Sequence, residues 1–373
     1  MNGFALVMLL AVIASLGAIV TFIPYLTRKT ESFGVSIDAK HFDDPEIRAM
    51  RGSYATGTGL SAILALLAAI AAAVYLEDGD LGWVMPVLVG WILLVQTVLY
   101  LRFHFRMKKL KQTKGLLSAE MQHTVVETGF HREKRAYSHV WFIPHLIVAA
   151  ATAGLCIGFY DAFPDRIVMQ FDFQGNPTNV VDKSYAAVLM PVWVQLFLIL
   201  VFWIGNKSIA MSKQQIDAAN PRVSLRQNLI FRRKWSGFLL TNGFLMTLAL
   251  GMIPLQMLLQ FDFQIFTAVW AAIIVYTLIA VTRLGFVTGQ GGSRIRVTES
   301  GGGSGSGKVN RDDDRYWKLG QFYFNPDDPA LFLEKRFGIG WTLNFARPLA
   351  WVILFGPLIL ILFVTVLVNG GTG

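Results

Sequence analysis

The sequence predicts an all-α integral membrane protein, an eight-helix transmembrane bundle with an extracytoplasmic hairpin-like loop and a small cytoplasmic subdomain. Three observations predict it. Only 15% of the 373 residues are charged and 54% are hydrophobic, where an ordinary soluble domain carries about 25% charged residues. The hydrophobic residues gather into runs of about 20, the length that crosses a bilayer as a helix. The basic residues occupy alternate connections between those runs, as cytoplasmic loops do.

The eight runs are 3–25, 58–76, 82–101, 141–160, 185–204, 237–259, 263–282 and 348–368. The first has the length of a signal peptide, but Arg28 and Lys29 follow its apolar run and no basic residue precedes it. It therefore reads as a retained span with the N-terminus outside. The second, SAILALLAAIAAAVYL, is rich in small residues and reads as a closely packed central helix. Of the 33 Lys and Arg, all but Arg166 and Lys183 fall in the first, third, fifth and seventh connections. That side is read as cytoplasmic, which places both termini outside a plasma membrane. The opposite side holds Glu77, Asp78, Asp80, Asp161, Asp165, Asp172, Asp182 and Asp262, for a net charge of −6. The overall +9 is thus a topology signal facing an anionic leaflet, and no nucleic-acid partner is expected.

The expected organisation follows the chain. Residues 1–140 hold the first three spans with amphipathic cytoplasmic loops, and 141–287 the next four with the outer loop 161–184. Residues 288–311 are a flexible Gly/Ser linker, 312–347 an aromatic cytoplasmic subdomain, and 348–373 the last span and outer tail. In the loops, Asp43-Asp44-Pro45 and Asp327-Asp328-Pro329 each read as a helix start, Asp as N-cap and Pro at the first helical position. Gly52 and Gly338 then predict short amphipathic helices ending there and lying on the membrane face.

No Asp, Glu, Lys or Arg falls in the core of a predicted span, which argues against a proton relay or ion pathway. The intramembrane polar groups are Gln96, Gln195, His145 and Asn242. They read either as interhelical hydrogen bonds, worth about 0.6 kcal/mol each on average, or as the polar lining of a ligand cavity. Pro144, Pro191, Pro254 and Pro357 could kink helices to open such a cavity. The single Cys156 permits no disulfide within the chain and reads as a small buried hydrophobe.

Motifs for chemistry fail on context. GGSGSGK at 302–308 fits a phosphate-loop skeleton, but Val309 stands where the magnesium-binding Ser or Thr belongs and no apolar strand precedes it, so it reads as linker. His123, His131 and His139 are eight apart and would drift by about 80° per step on a helix. No catalytic residue, cofactor or metal ligand is assigned, and no nucleophile–base pair is visible. The carboxylates at 312–314 lack the glycine turn of a cation loop.

Two segments carry the candidate sites. Within 161–184, FPDRIVMQFDF alternates as a strand does and QGNP is a turn, predicting a hairpin cap. Its candidate ligand-binding residues are Pro164, Asp165, Gln170, Asp172, Gly175, Asn176, Pro177, Asp182 and Lys183. QFDFQ recurs at 260–264 without the GNP or DK that follow the first copy, so the repeat reads as two membrane-rim positions filled alike. In the aromatic subdomain, Trp317, Tyr323, Asn325, Asp327, Asp328, Lys335, Arg336 and Trp341 form a candidate surface for a protein partner.

FPDRIVMQFDFQGNPTNVVDKS with LMP after it resembles an uncharacterised bacterial membrane-domain family, to which the immunity protein against a sporulation-delaying toxin is also similar. Pro164, Asp165, Phe171, Gly175, Pro177, Lys183 and Pro191 fit its pattern, and Gln170 stands where the family usually has His. RYWKLGQFYFNPDDPALFLEKRFGIGWTLNFARP resembles a second uncharacterised domain, through Trp317, Gly320, Asn325, Pro326 and Trp341 among others. Neither resemblance implies a reaction. The first implies sensing of, or protection from, toxic peptides, and the acidic outer face favours a cationic one. The expectation is a non-enzymatic ligand-sensing or toxin-immunity-type protein in the lipid bilayer. The alternative is a transporter or lipid-handling protein without a charged relay.

Overall fold

In the computed structural model the described residues are 3–76, 83–116, 135–171, 177–215, 221–297 and 313–370. The long helices are α1 (Gly3–Leu26), α2 (Pro45–Tyr75), α3 (Val84–Lys114) and α4 (Ile143–Gly158). After the four-residue α5 (Tyr185–Val188) come α6 (Met190–Met211), α7 (Pro221–Leu259), α8 (Phe263–Thr288) and α9 (Pro348–Gly370). Among the described residues, seven helical segments are long and apolar enough to cross a membrane. The 23-residue α9 occupies the eighth predicted run.

The helices overrun their apolar windows. α7 has 39 residues, about 58 Å at 1.5 Å each, well beyond the roughly 30 Å of a hydrocarbon core. The extensions of α2, α3, α7 and α8 carry Lys and Arg and gather at one end, the basic end. α1, α2 and α3 pack as one group and α4, α6 and α7 as another, while α8 contacts both α1 and α7.

Among the described residues, four two-stranded antiparallel sheets decorate the bundle. β1 (Glu31–Ser32) pairs with β2 (Val35–Ser36) after α1. β3 (Arg166–Phe171) and β4 (Pro177–Asp182) form a hairpin between α4 and α6, at the opposite, acidic end. β5 (Trp317–Lys318) with β6 (Phe322–Tyr323), and β7 (Phe332–Glu334) with β8 (Trp341–Leu343), make the C-terminal subdomain.

Both predicted amphipathic helices need correction. Pro45 does start a helix, but α2 runs through Gly52 to Tyr75. Ile47, Met50 and Tyr54 are buried in a cluster with Phe33, Phe103 and Phe337, and that burial outweighs the roughly 1 kcal/mol cost of a mid-helix Gly. After Asp328, whose carboxylate accepts from the Ala330 N–H at 3.0 Å, the chain forms strand β7 instead of a helix. Phe332, Leu333 and Glu334 are all buried, so both faces of the segment are covered, which a surface helix would not allow.

Two further expectations change. Pro144 and Pro191 lie in the first turns of α4 and α6, where the missing N–H has no intrahelical role; Pro254 and Pro357 are interior. The first residues of the expected 288–311 linker are packed, and the rest from 298 lie outside the described residues. Gln290, Gly291 and Gly292 are buried, and Gln290 donates to the carbonyls of Lys335 and Gly340 while its Oε1 accepts from the Gly340 N–H at 2.8 Å. The 302–308 motif, His123, His131 and Asp312 lie outside the described residues.

Candidate functional site

At the acidic end, Arg166 faces Asp182 and Gln170 faces Asn179 across the hairpin, and the ladder is irregular between Val168 and Phe171. Apolar contacts fix the hairpin to the bundle. Phe163 and Ile167 are buried in a cluster with Cys156, Ala187, Val188 and Val192. Lys183 clamps the base of the loop. Its N–H donates to the Asp165 carbonyl at 2.8 Å, and its ammonium donates to the Phe163 carbonyl at 3.0 Å. The ammonium also lies 3.3 Å from the Asp165 carboxylate and 5.6 Å above the Tyr160 ring. Pro164, Asp165, Gln170, Pro177 and Asp182 are exposed. Asp172, Gly175 and Asn176 lie outside the described residues. The hairpin thus holds a polar, acidic face outward on an apolar mount.

The intramembrane polar residues are distributed, not convergent. Gln195, fully buried, donates to Thr152 Oγ1 at 3.1 Å and to the Thr247 carbonyl at 2.9 Å, tying α6 to α4 and α7. His145 Nε2 lies 3.1 Å from the Leu240 carbonyl. Asn242 accepts from Thr277 Oγ1 at 2.5 Å, joining α7 to α8. Gln96 is half-buried on α3, which packs on α1 and α2, whereas α6 packs on α4 and α7. Gln96 and Gln195 therefore belong to different helix groups.

At the basic end, buried charges lock the C-terminal subdomain to the bundle. Glu334 and Arg232 are both 0% exposed. Glu334 Oε1 accepts from Asn228 at 2.6 Å and from Arg232 at 3.1 Å, and its other oxygen pairs with Arg28. Arg232 also donates to Asn228 Oδ1 and to the carbonyls of Ile209 and Ser212. Arg336 pairs with Asp313 and Asp314, and Asp314 takes Lys111 at 2.5 Å. Burial disfavours an ionised Asp314, but Arg336 and Lys111 outweigh it and hold the carboxyl below its usual range. Burial pushes the neighbouring Glu31 up to about 7, against the pull of Arg28 and Arg336.

The backbone joins in this packing. Gly34 (φ 76°) and Gly320 (φ 69°) meet back to back, where a Cβ on Gly34 would come within 2.6 Å of the Gly320 carbonyl. Both the left-handed φ and the close approach require glycine.

A cleft of about 260 Å³ opens beside this network, lined by Lys213, Tyr316, Tyr323, Asn325, Asp327 and Asp328 among others. Asp328 accepts from Lys213 at 2.6 Å and from the Tyr323 hydroxyl at 2.9 Å. Of the predicted partner-surface residues, Trp317, Tyr323, Asn325, Asp328 and Arg336 are buried and Trp341 is half-buried. Asp327 and Lys335 alone of that set are exposed. Sequence reasoning missed Glu334, Arg232, Asn228, Glu31, Arg28 and Gln290. A Glu in an apolar FLE strand is the one local signal for Glu334; its partners are far away in the chain.

The two ends coincide with two family matches. Residues 147–194, from within α4 through the hairpin to the start of α6, match a domain of unknown function (DUF1648). Residues 326–351, from the NPDDP turn through β8 to the start of α9, match a family of unknown function (DUF5808). No curated protein and no solved structure matches the chain. Neither match carries a link to the toxin-immunity protein. The chain is a multi-pass membrane protein of unknown activity that contains regions similar to two uncharacterised domains.

Proposed function

We propose that the protein is a non-enzymatic receptor or immunity-type protein whose hairpin at the acidic end takes a cationic peptide. One observation carries the reading. The β3–β4 hairpin is anchored by buried Phe163 and Ile167, yet Asp165, Gln170 and Asp182 are exposed at the end for which the sequence predicts a net charge of −6. A rigid mount with exposed carboxylates favours recognition through long-range attraction. In this reading the acidic end and both termini are extracytoplasmic, the membrane is a bacterial plasma membrane, and exposed Asp327 and Lys335 at the other end meet a protein partner.

The test replaces residues 175–182 with a Gly/Ser turn in the full chain. Binding of lysine-rich amphipathic peptides to the protein in nanodiscs, and survival of expressing cells against the same peptides, are then measured. Loss of both is expected. Unchanged binding with unchanged survival overturns the reading.

A further inference from the structure

The outward face of the C-terminal subdomain is apolar where a solvent-facing strand would be polar. In the β5–β6 hairpin, Trp317 and Tyr323 are buried, 4% and 1% exposed. The alternate positions Phe322 and Phe324 should then be polar if they faced water. They are Phe, and 49% and 46% exposed. The turn between the strands repeats the anomaly. Its central residues are Leu319 (φ 52°) and Gly320 (φ 69°), and the Gln321 N–H donates to the Lys318 carbonyl at 3.2 Å. Two successive left-handed residues favour Asn-Gly, yet the first is Leu, with a side chain 44% exposed. The Tyr100 hydroxyl holds the turn in place by donating to the Leu319 carbonyl at 2.7 Å.

An unbroken series of rings connects this face to a membrane helix. Phe322 contacts Phe345 edge-on at 5.7 Å between centroids. Phe345 contacts Trp351 at 5.5 Å, and Trp351 stacks on Phe355 at 5.8 Å. Trp351 and Phe355 belong to α9, and the Trp351 indole N–H donates to the Phe345 carbonyl at 3.0 Å. An indole with an apolar body and a satisfied polar tip is the usual resident of the membrane–water boundary. Arg315 and Lys318, both exposed, flank the same hairpin.

We infer that the β5–β6 hairpin is a membrane-interface anchor: Leu319, Phe322 and Phe324 enter the headgroup region of the bilayer, and Arg315 and Lys318 meet anionic lipid headgroups beside them. The occupant is lipid because the ring series is continuous with α9 and because the flanking charges are cationic on the leaflet side that holds nearly all the basic residues. The subdomain is then fixed from two sides, by buried charge against the bundle and by aromatic insertion into the bilayer.

The test uses the full chain in nanodiscs of phosphatidylglycerol and phosphatidylcholine. The only native thiol, Cys156, is buried and is replaced by Ala, or left in place unlabelled if C156A does not fold. A nitroxide is attached at F322C, at L319C and, as an aqueous reference, at D327C. Relaxation by oxygen and by a water-soluble nickel chelate reports depth. At positions 322 and 319 the oxygen-to-nickel accessibility ratio should exceed that at 327 several-fold, and raising the phosphatidylglycerol fraction should raise it further. Labels as nickel-accessible as that at 327 overturn the inference. Labels shielded from both reagents also overturn it, since they mean a protein surface covers the face.

Discussion

The two family-matched regions are held by opposite physics. The hairpin at the acidic end is mounted through apolar side chains, Phe163 and Ile167, and turns its charges outward. The C-terminal subdomain is held by charges turned inward, Glu334, Arg336 and Asp328 all buried, while aromatic Phe322 and Phe324 share its outer face with exposed Arg315, Lys318, Asp327 and Lys335. A region that commits its ionisable groups to internal pairs has few left for a ligand in water. The hairpin keeps Asp165 and Asp182 exposed to water, Asp165 beside Lys183. In the proposed reading the hairpin is the recognition element and the subdomain a brace, and four measurements probe that contrast.

The largest effect belongs to Glu334. Removing one member of a buried pair leaves an uncompensated charge and costs about 3–5 kcal/mol. Glu334→Ala strands Arg232, which is 0% exposed, and should lower the unfolding midpoint in detergent more than Ile167→Ala, Glu31→Gln or the loss of the exposed hairpin carboxylates. Replacing both fully buried charges with apolar residues, Glu334→Leu with Arg232→Met, should recover part of the loss, Arg28 still losing this carboxylate. If E334A unfolds at the wild-type temperature, the subdomain is not braced by this pair. The hairpin, at the far end, should show unchanged hydrogen exchange.

Ile167→Ala tests the other mount. Truncating a buried Ile costs about 2–4 kcal/mol, and here the cost should be local. Amide exchange in β3 and β4 should accelerate while the buried-charge end keeps its protection. Acceleration spread over both ends would mean the two regions are not independent.

Glu31 gives the basic end a pH signature. Its carboxyl titrates near 7 in the folded protein, against an ordinary 4.5. Between those values the folded state binds a proton that the unfolded state has released, so stability falls as pH rises through that window. Asp314 and Asp328, held below their usual range, act in the opposite sense and lose their contribution only as pH drops into the acid range. Arg28, Arg336, Asp313 and Asp314 all act on Glu31. Glu31→Gln should flatten the decline between about pH 5 and 7 and stabilise the protein above pH 7 by about 1–3 kcal/mol. An unchanged slope would show that Glu31 does not titrate in that window.

How far the sequence reveals each region follows the same division. The hairpin is readable because its logic is local: FPDRIVMQFDF alternates and QGNP turns within one short segment. The spans are readable for the same reason, since hydropathy and Lys/Arg placement need no knowledge of distant partners. The brace is not. Glu334 finds Asn228 and Arg232 across 106 and 102 positions, and Arg336 reaches the Gly34 carbonyl across 302. Local capping rules predict a helix after Asp328, and tertiary burial of Phe332, Leu333 and Glu334 makes it a strand. Residues such as Trp317 and Tyr323 look like a surface patch in sequence because nothing nearby tells which face of a two-residue strand is covered.

The smallest effect on stability is the most informative about function. Asp165 is 96% exposed and 3.3 Å from Lys183, and a pair of this kind in high dielectric is screened by water and salt. Lys183 keeps its hydrogen bond to the Phe163 carbonyl whether or not Asp165 is charged. Asp165→Asn with Asp182→Asn should therefore leave the unfolding midpoint where it is. The double variant nonetheless removes two exposed carboxylates from the end for which the sequence predicts a net charge of −6. If that charge steers a cationic peptide, the association rate should fall and lose its dependence on ionic strength, while dissociation changes less. An association rate identical to wild type at low salt would separate the hairpin's exposed charge from recognition and leave the acidic end as a consequence of membrane topology alone.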